Sequence, residues 1–170
     1  MIPTDTVYGL VGSALHPETV ERMYVVRKRD LDKPLIILIA SIDDVALFGV
    51  RPSSKQMEYL TRWWPGKVSV ILPASQETFH YLQRNTRTLA FRCPDDEALR
   101  NLLKQAGPIV APSANVQGFP ASTTIEEARA YFGERVDFYV DGSMMCSEPS
   151  TLVRFENDQP VIVRQGVVTI

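Results

Sequence analysis

An α/β domain with a twisted, mixed open sheet flanked by helices is the fold this chain predicts, and three observations predict it. Short apolar runs of strand length recur along the sequence. Segments with helical start and stop signals lie between them. Finally, 45% hydrophobic residues against 22% charged ones is globular composition, enough to bury a core within 170 residues. At that length one core is favoured over two, so residues 1–170 read as a single domain.

Each element has a physical reason. Pro17 suits a first helical turn and Glu18 sits near the positive end of the dipole, so a helix runs from there to about Val26. The run LIILI at 35–39 reads as a strand. Ser53 opens a second helix that runs to about Trp63 and is stopped by Pro65 and Gly66. Strands follow at 68–72 (VSVIL) and 89–92. Asp95 can cap a helix whose Ala98, Leu99, Leu102, Leu103 and Ala106 form an apolar stripe, ended by Gly107. After a strand at 109–111, Thr124 with Glu127 makes a capping-box pattern, and Gly133 closes that helix. Residues 138–140, 151–154 and 161–164 complete the strand set. Several strands are continuously apolar, which predicts burial on both sheet faces.

Composition also narrows the function. No apolar run approaches the ~20 residues that cross a bilayer. The opening Met1-Ile2-Pro3-Thr4-Asp5 lacks a basic stretch followed by a hydrophobic one, so a cytoplasmic protein without a membrane role is expected. A net charge of −2 gives no global attraction for nucleic acid, so any RNA contact needs a local patch. Cys93 and Cys146 lie far apart with no ligand-type neighbours and read as reduced, partly buried thiols; His16 and His80 are equally isolated. Neither a metal site nor a Cys–His nucleophile pair is supported.

The chemistry therefore sits in connecting segments. Thr4-Asp5-Thr6 places two hydroxyls around a carboxylate, either in a plain turn or around a small polar ligand. Arg27-Lys28-Arg29, followed by Asp30 and Lys33, is either a solvated helix cap or a polyphosphate clamp. No Walker-type glycine loop is present, so a nucleotide would need another device. Trp63-Trp64-Pro65-Gly66 suits a packed helix end better than a base-stacking platform. The strand at 109–111 runs into Pro112-Ser113-Ala114-Asn115, small polar residues at a strand end, where open α/β sheets bind ligands. Ser113 and Asn115 can hydrogen-bond phosphate or ribose; no GxSxG context supports Ser113 as a nucleophile. Ser150-Thr151 and Arg164-Gln165-Gly166 at strand ends are weaker signals.

Seven segments, PTDTVYGL, RKRDLDKPL, WPGK, LAFRCP, APSANVQGFP, PSTLV and VIVRQG, span nearly the whole chain. In this order they resemble the YrdC/Sua5 family of threonylcarbamoyl-AMP synthases. The resemblance implies a YrdC-like twisted sheet around a concave, positively lined cleft. It also implies an enzyme, a nucleotidyltransferase that condenses L-threonine, bicarbonate or CO2, and ATP into threonylcarbamoyl-AMP and pyrophosphate, with Mg2+ carried on the ATP phosphates. The product would serve threonylcarbamoylation of adenosine 37 in tRNA, directly or through a threonylcarbamoyl transferase complex. Carried over by motif, Thr4, Arg92 and Ser150 would bind threonine, while Arg27, Arg29, Lys33, Ser113, Asn115 and Arg164 would bind ATP. No catalytic base and no protein metal ligand is implied. An RNA-binding module of the same fold without synthase activity is the competing expectation.

Three departures from the family pattern stand out. Arg27 occupies a position where the family usually has Lys, and Gln117-Gly118-Phe119-Pro120-Ala121 replaces a continuation that carries two more hydroxyls. The family generally has a helix and a strand before the PTDT motif. With no Sua5-type second domain after the first, the short, single-domain form is expected.

Overall fold

The computed structural model describes residues 1–145 and 147–170, so the expectation for Cys146 lies outside the described residues. Along the chain run β1 (Gly12–Ser13), α1 (Pro17–Arg27), β2 (Ile36–Leu38), α2 (Ser54–Trp63), β3 (Val68–Pro73), α3 (His80–Gln83), β4 (Thr88–Arg92), α4 (Glu97–Ala106), β5 (Ile109–Val110), α5 (Ile125–Phe132), β6 (Thr151–Glu156) and β7 (Gln159–Arg164). A 3-10 helix at Ile42–Phe48, not anticipated, follows β2. The strands form one sheet in the order β1-β5-β2-β4-β3-β6-β7. Pairs β2–β4 and β3–β6 are parallel and the rest antiparallel, which makes the sheet mixed, as expected.

Helix ends follow the capping rules with two corrections. Ser53 and Gln56 make a reciprocal capping box on α2. On α4 the cap is Asp96 rather than Asp95: its side chain accepts from the Leu99 N–H at 2.8 Å. Asp95 lies one residue too early to reach that donor and pairs with Arg100 at 3.6 Å. On α5, Thr124 accepts from the Glu127 N–H, but the Glu127 carboxylate takes the Thr123 N–H at 2.7 Å, so the box is displaced by one residue. The expected strand at 138–140 does not form. Only Met1 bonds to it, taking the Val140 N–H on its carbonyl at 3.0 Å and donating its amino group to the Phe138 carbonyl at 2.9 Å, and Phe138 and Val140 stay exposed.

Period-two alternation sorts the strands onto two faces. Ile37, Leu89, Phe91, Val70 and Leu72 join the main core with Val20 and Met23 of α1, Leu60 of α2, and Ala128 and Phe132 of α5. The opposite face is covered at one end only, where Leu99 and Leu103 of α4 pack on Leu38 and Ile109. Continuous apolar runs therefore overstate burial: Ile36 and Ile71 are only half-buried, because no helix covers their end of the sheet.

Trp64 is buried, and its indole N–H donates to the Val68 carbonyl at 2.7 Å. Trp63 stacks on Tyr59 with ring centres 5.2 Å apart. This pair closes α2 against β3 and is structural. Gly66 next to it donates its N–H to Cys93 at 2.8 Å, and an added Cβ would lie 2.3 Å from the Trp63 carbonyl oxygen. Strands β6 and β7 join through Asn157 and Asp158, both at positive φ, a two-residue hairpin turn. Beyond β7 the chain folds back: the N–H groups of Gly166 and Val168 both donate to the buried Thr151 hydroxyl, at 3.0 and 3.2 Å.

Candidate active site

The uncovered end of the sheet is a cavity. Its floor is one row across three strands, Ile36 opposite Ala90 and Ala90 opposite Ile71, with the small Ala90 side chain at the centre. The cavity holds about 210 Å³, and its cationic walls are Arg27, Arg29 and Arg164, with Ser113 and Thr88 at the sides and no carboxylate in the lining. A second pocket of about 80 Å³ adjoins it, bounded by Thr4, Thr6, Arg92 and Ser150. Ile36, Ser113 and Arg164 belong to both, so the two compartments are continuous. The cleft lies on the sheet face and not beyond the strand ends, because α4 covers only part of that face. A cavity of about 230 Å³ between β1, α1 and residues 135–138 is mostly apolar, and its Arg22 is already paired with Asp137. It lacks the convergent polar groups of a ligand site.

Arg27 leaves the end of α1 and turns inward, only 3% exposed. Its Nε donates to the Asn115 carbonyl at 3.0 Å, its Nη2 to the Asn115 side-chain oxygen at 2.9 Å and to Ser113 Oγ at 3.4 Å; Nη1 is buried with no partner among the described residues. Burial and then the neighbouring Arg29 pull its pKa down to about 10, which leaves it charged at neutral pH. Arg29 is held by the carbonyls of Lys33 and Pro34, at 3.0 and 3.1 Å. Burial lowers Arg29 and Arg164 as well. Three cations in one wall, none of them in a salt bridge among the described residues, form a site that an anion would relieve. The solvated-cap reading holds for Lys28, which is exposed, and not for Arg27.

Two expected contacts fall outside the cleft lining. Lys33 is exposed and paired with Asp30 at 2.7 Å. Asn115 is buried behind Arg27 and reaches the cavity only through Arg27 and Ser113. Ser113 bridges them, donating to the Asn115 side-chain oxygen at 2.7 Å.

In the smaller pocket, Thr4 Oγ1 donates to the Val7 carbonyl at 2.6 Å, which curls the 4–7 turn. Arg92 shares its sheet face with Ala90 and Thr88. Its Nη1 donates to Thr6 Oγ1 at 3.2 Å, and its Nη2 lies 3.0 Å from Asp5 Oδ1, with the Asp5 and Arg92 side chains 2% and 5% exposed. Ser150 Oγ is 2.8 Å from Ser69 Oγ, both buried, and Arg164 Nη2 donates to the Ser150 carbonyl at 2.8 Å. Sequence reasoning marked the 4–6 turn but gave Asp5 and Thr6 no role of their own, and it did not select Ser69 or Thr88. Ser69 had a signal, the one polar residue in VSVIL, and Thr88 follows from Arg92 by strand periodicity.

A half-covered mixed sheet with an arginine-walled cleft on its open face defines an α/β protein built to hold an anion. A family model, Sua5/YciO/YrdC, described as telomere recombination, matches residues 1–166, and the chain belongs to that family. Among curated relatives, the threonylcarbamoyl-AMP synthase of Bacillus subtilis (strain 168) is 34% identical over 171 residues, covering 98% of this chain and 49% of the relative. That of Marinobacter nauticus is 32% identical over 145 residues, covering 84% of this chain and 76% of the relative. Among solved structures, P. abyssi Sua5 complexed with L-threonine superposes with a TM-score of 0.89 at 31% identity, over 97% of this chain and 49% of that one. The chain thus spans about half the length of the B. subtilis and P. abyssi relatives.

Proposed function

We propose that this protein is a threonylcarbamoyl-AMP synthase, a nucleotidyltransferase using ATP, L-threonine and bicarbonate or CO2. The observation that carries the reading is the continuous two-compartment cleft, with a small hydroxyl- and guanidinium-lined pocket opening onto a larger arginine-walled one. Relatives named for the activity and a related structure holding L-threonine support it.

In this reading threonine occupies the smaller pocket. Arg92 faces its carboxylate, and Thr4 and Ser150 border its remaining polar groups. The ATP phosphates lie along Arg27, Arg29 and Arg164, with Ser113 at the junction; Asn115 acts through Arg27, and Lys33 adds charge at the rim. The threonine amine adds to CO2 and loses a proton, giving a carbamate. A carbamate oxygen then attacks the α-phosphorus, and pyrophosphate departs with the electron pair of the broken P–O bond. Alignment of the two substrates supplies much of the acceleration, and the arginines offset the negative charge that develops on the phosphates. Mg2+ supplies further charge neutralisation and would be held by phosphate oxygens: the charged walls of the cavity are arginines, and among the described residues no group of three or more His, Cys, Asp or Glu gathers to hold a metal. The product would be passed to adenosine 37 of tRNA, directly or through a transferase complex, a role suited to a cytoplasmic protein. No helix among the described residues is long and apolar enough to cross a membrane.

The test is direct. Purified protein incubated with ATP, Mg2+, bicarbonate and L-threonine should release pyrophosphate only when threonine is present, with threonylcarbamoyl-AMP detected by mass. Tight RNA binding without such release would favour the RNA-binding module instead.

A further inference from the structure

Behind Arg92, on the side away from the pocket, is a group the proposed chemistry does not use. Asp5 does not line either compartment, and its carboxylate is turned into the protein against the Arg92 guanidinium. The two side chains are among the most deeply buried charges in the molecule, at 2% and 5% exposure. The contact is a close ion pair without hydrogen-bond alignment, since neither Asp5 oxygen has a well-directed donor among the described residues. At the other terminal nitrogen of the guanidinium, Thr6 accepts from Nη1, and Nε has no partner among the described residues. Arg92 is thus held from two neighbouring residues of one turn and keeps an unused donor.

Such a buried pair is an expensive way to gain stability, because both charges lose their hydration. Its physical advantage is orientation: a long, flexible side chain is fixed in one rotamer before any ligand arrives. We propose that Asp5 is a positioning residue, with its carboxylate behind the guanidinium aiming Arg92 at the substrate carboxylate in the smaller pocket. The inference rests on the reading of that pocket as the threonine compartment.

The sign of the effect separates positioning from simple charge balance. If Asp5 only competed for the charge of Arg92, neutralising it would strengthen binding of a carboxylate. As a positioning group, its neutralisation weakens binding. The groups facing Asp5 are Arg92 of β4, the Asp95 backbone after it and Lys67 before β3. Burial raises its pKa above the ordinary aspartate value, against the pull of Arg92 and Lys67, so it takes up a proton earlier on acidification than an exposed aspartate would.

Calorimetric titration of the whole protein with L-threonine tests this, since binding avoids the pH dependence of bicarbonate. Asp5→Asn should bind threonine about tenfold more weakly, the scale of a lost charge-assisted alignment, with ATP affinity within about twofold. Wild-type threonine affinity should fall as pH drops through the Asp5 titration, while the Asp5→Asn value stays flat. Should the variant fail to fold, the wild-type titration decides alone. Unchanged or tighter threonine binding by Asp5→Asn, or wild-type affinity that holds or rises toward acid, overturns the positioning role and leaves the synthase reading standing. No threonine binding by wild type at any pH overturns the substrate assignment and this inference with it.

Discussion

One guanidinium, that of Arg27, binds both oxygens of Asn115: Nε meets the backbone carbonyl at 3.0 Å and Nη2 the side-chain amide oxygen at 2.9 Å. The end of α1 is thereby fastened to the loop after β5, and the cation is fixed in the wall of the larger cavity.

Removing that fastening should be felt at the nucleotide. Asn115→Ala leaves the backbone contact but takes away an acceptor from a buried cation, and should cost about 1–3 kcal/mol of stability. ATP affinity should fall several-fold while threonine affinity changes little. Calorimetry with each ligand separately checks this; an equal loss for both would place Asn115 elsewhere in the mechanism.

Arg92→Ala should show the opposite selectivity. Threonine binding should weaken by at least about tenfold, the scale of one charge-assisted hydrogen bond, with ATP binding nearly preserved. Steady-state kinetics that showed KM for ATP rising as much as KM for threonine would count against the assignment.

Gly166→Ala tests the fold-back beyond β7. An added Cβ would lie 2.2 Å from the Pro149 carbonyl oxygen and 2.6 Å from the Thr151 nitrogen, both rigid backbone atoms. Overpacking of this kind should destabilise by about 1–3 kcal/mol. Because Ser150 and Arg164 flank the contact, substrate affinity should drop as well. Wild-type melting temperature in this variant would show that the segment yields easily.

Cys93 should be chemically silent. Burial, only partly offset by Arg100, raises its pKa to about 11. The thiolate is the reactive form, so at pH 8 only about one molecule in a thousand is poised to react. Since the shift is upward, alkylation should accelerate as pH climbs toward 11. Mass spectrometry of the Cys93 peptide after iodoacetamide treatment should find it unlabelled when native and labelled after unfolding.

Much of the fold was legible because local signals agreed with it. Pro17, Ser53 and Gly107 mark helix ends in the folded protein as in the sequence. The misreadings came where one residue of register, or a tertiary decision, mattered. Asp95 and Asp96 are equivalent caps on paper, and only the reach to the Leu99 N–H selects between them. Residues 138–140 have strand composition, but the backbone they meet is the single terminal residue Met1, too short a partner for a ladder.

At the site, residue types were legible and their directions were not. Arg27, Arg29 and Lys33 read alike in sequence; only the path of the chain sends the first inward and leaves the third on Asp30. The seven motifs, taken by resemblance, named Thr4, Arg27, Arg29, Arg92, Ser113, Ser150 and Arg164, which line the cleft, and also Lys33 and Asn115, which do not. The partner of Asp5 stayed hidden because their contact joins positions 5 and 92, a separation no local pattern records.

Sheet order also bears on how the protein is made. Strand β3, from the middle of the chain, pairs in parallel with β6, so the smaller pocket is walled by Thr4 and Arg92, which precede α4, β5 and α5, and by Ser150 and Arg164, which follow them. A nascent chain must emerge from the ribosome at least as far as Arg164 before the smaller pocket has its walls. Ligands can therefore shield only a chain synthesised past β7, and a chain stalled before that point meets proteases and chaperones without their protection.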